Sequence, residues 1–203
     1  MSFDSHRPFF PRRLLAVAVG VVVAALLVGF VVVSVHRSLA RSAQGACDGL
    51  SPQFVGQTLP RVDLAKLKWS GQGLVESGRM SLGPGAPFPY LMSFWSASCP
   101  PCIREMPSLV ELGRRAWQGA VVLVCVDDDL KGASDVIRNN PGLLQAGFNV
   151  VWLWDKGGRL ARRMGTRKFP ETYFVSEGTA RWKVVSERDW MSMPARHCLL
   201  AHH

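Results

Sequence analysis

Hydrophobic and polar positions divide this chain into one unbroken apolar block and a long remainder of short, mixed patterns. Residues 14–35 carry no charge and are long enough, at helical rise, to cross the hydrocarbon core of a bilayer. They predict a transmembrane anchor over 14–35, with 1–13 as a cytoplasmic stub and 36–53 as a linker that is small and polar over 41–50. The folded domain is expected over 54–203. Weak alternation in 62–67 and 73–82 predicts short strands with Gly-rich turns, followed by a loop over 83–87. Residues 90–95 read as a central, mostly buried strand. Ile103, Met106, Leu109, Val110 and Leu112 then recur at helical spacing. Pro107 is expected to kink that helix, and Arg104, Arg114 and Arg115 to form a solvated face.

The second half continues with an aliphatic strand over 121–126 and helix over 133–138 and 143–146, broken at 139–142. A strand follows over 150–154, whose Trp152 and Trp154 share a face at the core or its edge. A turn at 156–158 leads to a short helix over 160–164 closed by Gly165. A hairpin of 171–176 and 181–186 turns around Glu177 and Gly178, and a last helix begins near Ser192.

Composition sharpens this outline. The chain of 203 residues has room for one domain and an appendage, and much of its 48% apolar content lies in the one block. A formal charge of +9 raises the question of nucleic acid, but the arginines are scattered and no basic stripe is interleaved with aromatics. The expectation is no nucleic-acid partner and a basic surface suited to anionic lipid or an acidic partner. Arg7, Arg12 and Arg13 precede the apolar block and Arg37 and Arg41 follow it, so the positive-inside rule narrowly favours a cytoplasmic N-terminus. The domain then faces the outer side, where thiols tend to be oxidised. A cleaved signal would have a shorter apolar region, although the small residues at 42–46 offer a cleavage site. Lipidation at Cys47 is disfavoured, because the apolar block ends too far upstream and Gln44 is polar.

The candidate chemistry lies in Phe94 to Cys102, FWSASCPPC. Two cysteines at this spacing between a strand and a helix place the first at the helix N-terminus, where unpaired N–H groups and the helix dipole favour a thiolate. The second falls in the first turn, within reach of a disulfide. A zinc site would want two further ligands, whereas Cys47, Cys125 and Cys198 lie singly and far apart. No metal site is expected. Pro100 and Pro101 bring neither charge nor N–H, so only a moderate lowering of the Cys99 pKa is expected, which suits a reductant better than a strong oxidant. Glu105 lies one turn beyond Cys102 on the same helix face. It is either a proton relay with a pKa raised by burial or a solvated first-turn carboxylate. Cys125, inside an aliphatic strand, is expected to be inert, and Asp127 to Asp129 to form a strand-end turn and helix cap rather than a cation site.

FWSASCPPCIREMPSL resembles the active-site segment of the TlpA/ResA-like, membrane-tethered proteins of thioredoxin fold. GTRKFPETYFV resembles the family's cis-proline landmark, ERDWMS the approach to its final helix, and VGQTLP its entry segment. The resemblance implies an α/β fold, a mixed sheet flanked by helices with the dithiol at the end of a central strand. It also implies thiol–disulfide exchange outside the bacterial cytoplasmic membrane, typically as a reductant towards apocytochrome c or a copper-centre assembly protein. Electrons would come from a transmembrane thiol reductase, and no cofactor is implied beyond a Cys99–Cys102 disulfide. By the same resemblance Cys99 is the exposed nucleophile, Cys102 resolves the mixed disulfide, and Glu105 sits beside the pair. The bond between Phe169 and Pro170 is expected to be cis. Trp95, Ser98, Pro100, Phe169 and Pro170 are the expected substrate contacts, with Trp95 otherwise a core aromatic. Ser98 departs from the family's usual tryptophan on the docking rim, which bears on the substrate more than on the chemistry. An oxidase or isomerase serving one periplasmic enzyme, and a copper-holding module without catalysis, are the alternatives. Cys47, at the start of the domain, and Cys198, in its final helix, could pair in an oxidising compartment, but sequence alone does not place their Cα atoms within bonding distance.

Overall fold

The computed structural model describes residues 12–45, 47–85, 88–145 and 147–201. Most of the expected cytoplasmic stub, with Arg7, therefore lies outside the described residues. The chain forms two units, residues 1–45 and 46–203.

The first unit is helix α1, Arg12–Gly45. Within it Gly20–Ser38 is long and apolar enough to cross a membrane, and its apolar side chains are exposed. The helix runs on through the first ten residues of the expected linker. Leu, Ala, Arg and Gln favour helix there, and no proline intervenes before Gly45.

The rest of the expected linker belongs to the second unit. Asp48–Leu50 forms a single 3-10 turn, with Cys47 and Leu50 buried in the core. Cys47 is disulfide-bonded to Cys198, Cα to Cα 4.4 Å, so the folded unit starts there and not at residue 54. Gly49 allows the turn to lie close to the final helix, since a Cβ at that position would come within 2.8 Å of the Pro194 side chain.

Eight strands follow: β1 (Gln53–Thr58), β2 (Val62–Trp69), β3 (Leu74–Leu82), β4 (Tyr90–Trp95), β5 (Ala120–Cys125), β6 (Val150–Trp154), β7 (Glu171–Ser176) and β8 (Thr179–Val185). They make one mixed sheet in the order β1-β8-β7-β4-β5-β6-β2-β3. β4, β5 and β6 run parallel, and the other pairings are antiparallel. β1 was not foreseen as a strand; it pairs at the sheet edge with β8.

The helices are α2 (Pro100–Glu111), α3 (Lys131–Asn139), α4 (Arg159–Arg163) and α5 (Met193–Leu200). Helix α2 continues past Pro107, which does not end it. The helix expected over 143–146 is a 3-10 segment, Pro141–Gln145. Pro141 and Gly142 leave too few residues before the next strand for a full helix.

The buried central strands read as continuous apolar runs because both sheet faces are covered. Alternation sorts their side chains. Leu91, Trp95, Leu123, Cys125 and Phe174 pack with Met106, Leu109 and Ile137 on one face. Met92, Phe94, Val122, Val124 and Tyr173 pack with Leu160, Ala161 and Met164 on the other. Trp95 is fully buried and meets Trp152 edge to face at 5.9 Å, so it is a core residue and cannot be a substrate contact. At the hairpin between β7 and β8, Gly178 has φ +71 and no room for a side chain, since a Cβ would lie 2.4 Å from Pro84 Cα.

The Cys47–Cys198 bond closes a loop with a sequence separation of 151. In the chain-entropy argument such a loop is worth about 5 kcal/mol. Replacing both cysteines by serine is expected to lower stability by several kcal/mol, read as a fall in denaturant midpoint of the full chain with a steeper slope, because the unlinked unfolded chain exposes more surface; an unchanged midpoint would show that the bond constrains nothing.

Candidate active site

The parallel strands β4 and β5 end side by side, with Trp95 opposite Cys125. The loops leaving them therefore meet. Asp127 carries both oxygens toward the β4 loop: Ser96 Oγ donates to Oδ1 at 2.5 Å and the Ala97 N–H to Oδ2 at 2.9 Å. The Ser98 N–H donates back to Ser96 Oγ at 3.2 Å, and the two serine hydroxyls are 2.9 Å apart. Asp127 is thus more than a strand-end turn, while Asp129 accepts from the Lys131 N–H in the turn ahead of α3, whose N-cap is Leu130.

This tied loop delivers Cys99 as the N-cap of α2. Pro100 and Pro101 occupy the first helical positions, where a missing N–H costs no hydrogen bond. The N–H of Cys102 is then the donor that meets Cys99 Sγ, at 3.3 Å. Cys99 and Cys102 are joined as a disulfide, Cα to Cα 5.3 Å. Cys99 retains 9% exposure against 1% for Cys102. It opens into a groove of about 660 Å³ lined also by Ser98, Asp128, Gly157, Arg162 and Phe169.

The structure gathers only part of the expected set at that groove. Ser98, Cys99 and Phe169 line it. Pro100 is exposed beside it, and Pro170, joined to Phe169 by a cis bond, is buried with its carbonyl accepting from the Ser186 N–H.

Glu105 lies one turn beyond Cys102 in α2. At 2% exposure it is not the solvated first-turn carboxylate that was one expectation. Thr172 Oγ1 donates to Oε1 at 3.0 Å and the Arg188 N–H to Oε2 at 3.0 Å. Burial, the largest influence, pushes its carboxyl up to about 7; the Trp190 indole, the Arg188 N–H and the Thr172 hydroxyl oppose the rise. Thr172 Oγ1 also lies 2.9 Å from Ser93 Oγ, its cross-strand partner. A hydroxyl has one proton, so the Ser93–Thr172–Glu105 chain reverses its direction when Glu105 changes charge. Glu105 further fixes the segment before α5, assisted by the ion pair of Arg104 with Glu187 at 2.6 Å and by the Trp190 N–H donating to Ser108 Oγ at 3.1 Å.

A second buried carboxylate was missed in the sequence. Glu171, next to Pro170, accepts from Tyr173 Oη at 2.9 Å and Lys183 Nζ at 3.0 Å on the opposite sheet face. Its signal was available: alternate residues of β7 face opposite cores, so Glu171 and Thr172 could not both be solvated. Cys125 is a buried free thiol, and burial pushes its pKa up, in line with the expectation of inertness. Among the described residues no group of three or more His, Cys, Asp or Glu is placed to hold a metal ion.

The AhpC/TSA family profile matches residues 55–183. The chain belongs to the AhpC/TSA family. Among solved structures it is similar to a thiol:disulfide interchange protein DsbE of Chlorobium tepidum, with 19% identity over 75% of this chain and 100% of that one, at a TM-score of 0.53. A DsbF homologue from Corynebacterium diphtheriae shares 17% identity over 68% of this chain and 85% of its own, at a TM-score of 0.50. Among curated proteins none matches the chain in sequence. The fold is thus the thioredoxin-like mixed sheet expected of a TlpA-like protein. A strand-to-helix dithiol closed as a disulfide on that fold is the equipment of a thiol–disulfide oxidoreductase.

Glu105 also makes a stability prediction. Its folded pKa is raised to about 7 from 4.5, so the native state holds its proton longer than the unfolded state does. The resulting stability is full below pH 4.5 and is lost as pH rises to about 7, on the order of 3 kcal/mol. Glu105→Gln is expected to flatten that slope in denaturation of the oxidised protein between pH 4.5 and 8; an identical slope would place the titration elsewhere.

Proposed function

We propose that this protein is a membrane-anchored protein-disulfide reductase acting on the outer face of the bacterial cytoplasmic membrane through Cys99 and Cys102. The observation that carries the proposal is the pairing of these two sulfurs at the head of α2, one of them opening into the groove beside Phe169. In the reduced protein the Cys99 thiolate attacks one sulfur of a partner's disulfide. A mixed disulfide forms and the partner's other sulfur leaves as a thiolate, which takes a proton. Cys102 then loses its proton and attacks Cys99 Sγ, which releases the partner's second thiolate and leaves the Cys99–Cys102 disulfide. Two electrons pass to the partner, and a transmembrane thiol reductase returns two electrons to the pair. The redox-active disulfide is the only redox group this cycle requires.

Glu105 is assigned the proton of Cys102. It lies one turn along the helix, buried, with a carboxyl at about 7, and the hydroxyl chain through Thr172 accommodates either of its charge states. The reductase direction is supported by the sparse stabilisation of a Cys99 thiolate, which has the Cys102 N–H as donor between two prolines and the helix body. Apocytochrome c and metal-centre assembly proteins are the substrate types in view. Ser98, in place of a bulkier rim residue, keeps open an oxidase or isomerase role toward one periplasmic enzyme; a reduction potential as high as that of dedicated oxidases would decide for it.

Cys102→Ala in the full chain is expected to accumulate mixed disulfides with partner proteins, and Cys99→Ala to form none. Recovery of the same adducts from the Cys99→Ala variant would reverse the two roles. Glu105→Gln is expected to slow exchange at least tenfold near neutrality and to remove the rise in rate around pH 7; an unshifted pH profile would exclude the relay.

A further inference from the structure

The basic excess of this protein is not spread over its folded unit. Residues 46–203 hold nineteen Lys and Arg against fourteen Asp and Glu. Six of the nineteen, Lys156, Arg159, Arg162, Arg163, Arg167 and Lys168, fall within thirteen residues that contain no acid. Outside that segment the unit is one charge negative, so the whole positive excess belongs to α4 and the turn that follows it. All six side chains are exposed. None forms an ion pair among the described residues, although six pairs occur elsewhere in the unit. Lys156 lies over the Trp154 ring and Arg162 donates to the Gly157 carbonyl, contacts that neutralise neither charge.

The position of this ridge gives it meaning. Arg162 lines the same groove as Cys99, and Arg167 and Lys168 immediately precede Phe169, which lines it as well. A segment laid against Cys99 and Phe169 therefore passes Arg162, Arg167 and Lys168, whereas Lys156, Arg159 and Arg163 line a separate pocket with Asp63 and Glu76. The facing lip carries Asp127 and Asp128, but Asp127 already accepts from Ser96 and Ala97. With Arg167 and Lys168 counted beside Arg162, three cations border the groove against the two carboxylates of Asp127 and Asp128.

We propose that the groove selects partner proteins whose reactive cysteine lies in an acidic extended segment, with the carboxylates seated by Arg162, Arg167 and Lys168. This rests on the exchange reaction proposed above and specifies its substrate class. Exposed charges bordering a binding groove raise encounter rates by about tenfold or more at low ionic strength and lose that effect in salt.

The test uses the full chain in detergent, reduced beforehand, and three peptides of equal length with one intramolecular disulfide flanked by Glu, Gln or Lys. The Glu peptide is expected to be reduced at least tenfold faster than the Lys peptide at low salt, with the gap closing near 0.5 M salt. Arg167→Glu with Lys168→Glu is expected to abolish or invert that order, whereas Arg181→Glu, at the far end of the β7–β8 hairpin, leaves it standing. Equal rates for the three peptides would overturn the charge selection while leaving the exchange activity intact; no reduction of any peptide would overturn both. A ridge meant for lipid would show itself differently: the double variant would lose salt-sensitive binding to phosphatidylglycerol vesicles with no change in peptide order, and that outcome also refutes the proposal.

Discussion

Trp95 stands opposite Cys125 in the parallel pairing of β4 with β5, and the position of the dithiol depends on that register. A one-residue slip would turn every side chain of β4 to the other face and carry Ser96 away from Asp127. With the register held, the carboxylate of Asp127 ties down Ser96 and Ala97, and the chain reaches Cys99 with little freedom left before α2 begins. The large aromatics serve the same end. Trp95 is wedged between the sheet and the helices, so the strand end cannot shift without opening the core.

The site is also flanked by buried carboxylates on opposite faces of the sheet, and the two are treated differently. Glu171 has a cation, Lys183, within 3.0 Å, together with the Tyr173 hydroxyl. Glu105 has neutral donors and no cation as close. A buried carboxylate beside a cation has its charge compensated, whereas burial raises the carboxyl of Glu105, whose donors are neutral. A carboxyl poised near 7 one turn from Cys102 is therefore a consequence of which neighbour β7 supplies: Thr172 to one face, Glu171 with its lysine to the other.

Much of this was legible in the sequence. The Cys-Pro-Pro-Cys spacing, the apolar run before it and the Phe169–Pro170 landmark locate the site by local signals, and local signals survive folding. The anchor was legible for the same reason, though its helix runs ten residues further because helix propensity continues past the last apolar residue. What failed was long-range. The apolar run over 90–95 marks a buried central strand, but it does not show whether Trp95 at its end reaches the rim or stays in the core. Glu105 looks like any first-turn acid until the 187–190 segment closes over it. The six basic residues within 156–168 are visible along the chain, but only the fold shows that Arg162 and the residues before Phe169 border the groove. Cys47, read as part of a tether, is in the core because its partner lies 151 residues away.

That distant bond and the active pair impose opposite demands on one protein. Exchange needs a thiolate to approach a sulfur, so access decides which disulfide turns over. Cys47 and Cys198 are both fully buried, under the 3-10 turn and α5. Cys99 lines a groove, whereas Cys47, Cys102 and Cys198 are at most 1% exposed. A partner's thiolate can therefore reach the working pair without reaching the staple, and the point where the chain enters the folded unit stays closed while the other bond opens and shuts. Burial thus separates a structural from a reactive disulfide within a single core, where sequence spacing could only suggest that the two were different.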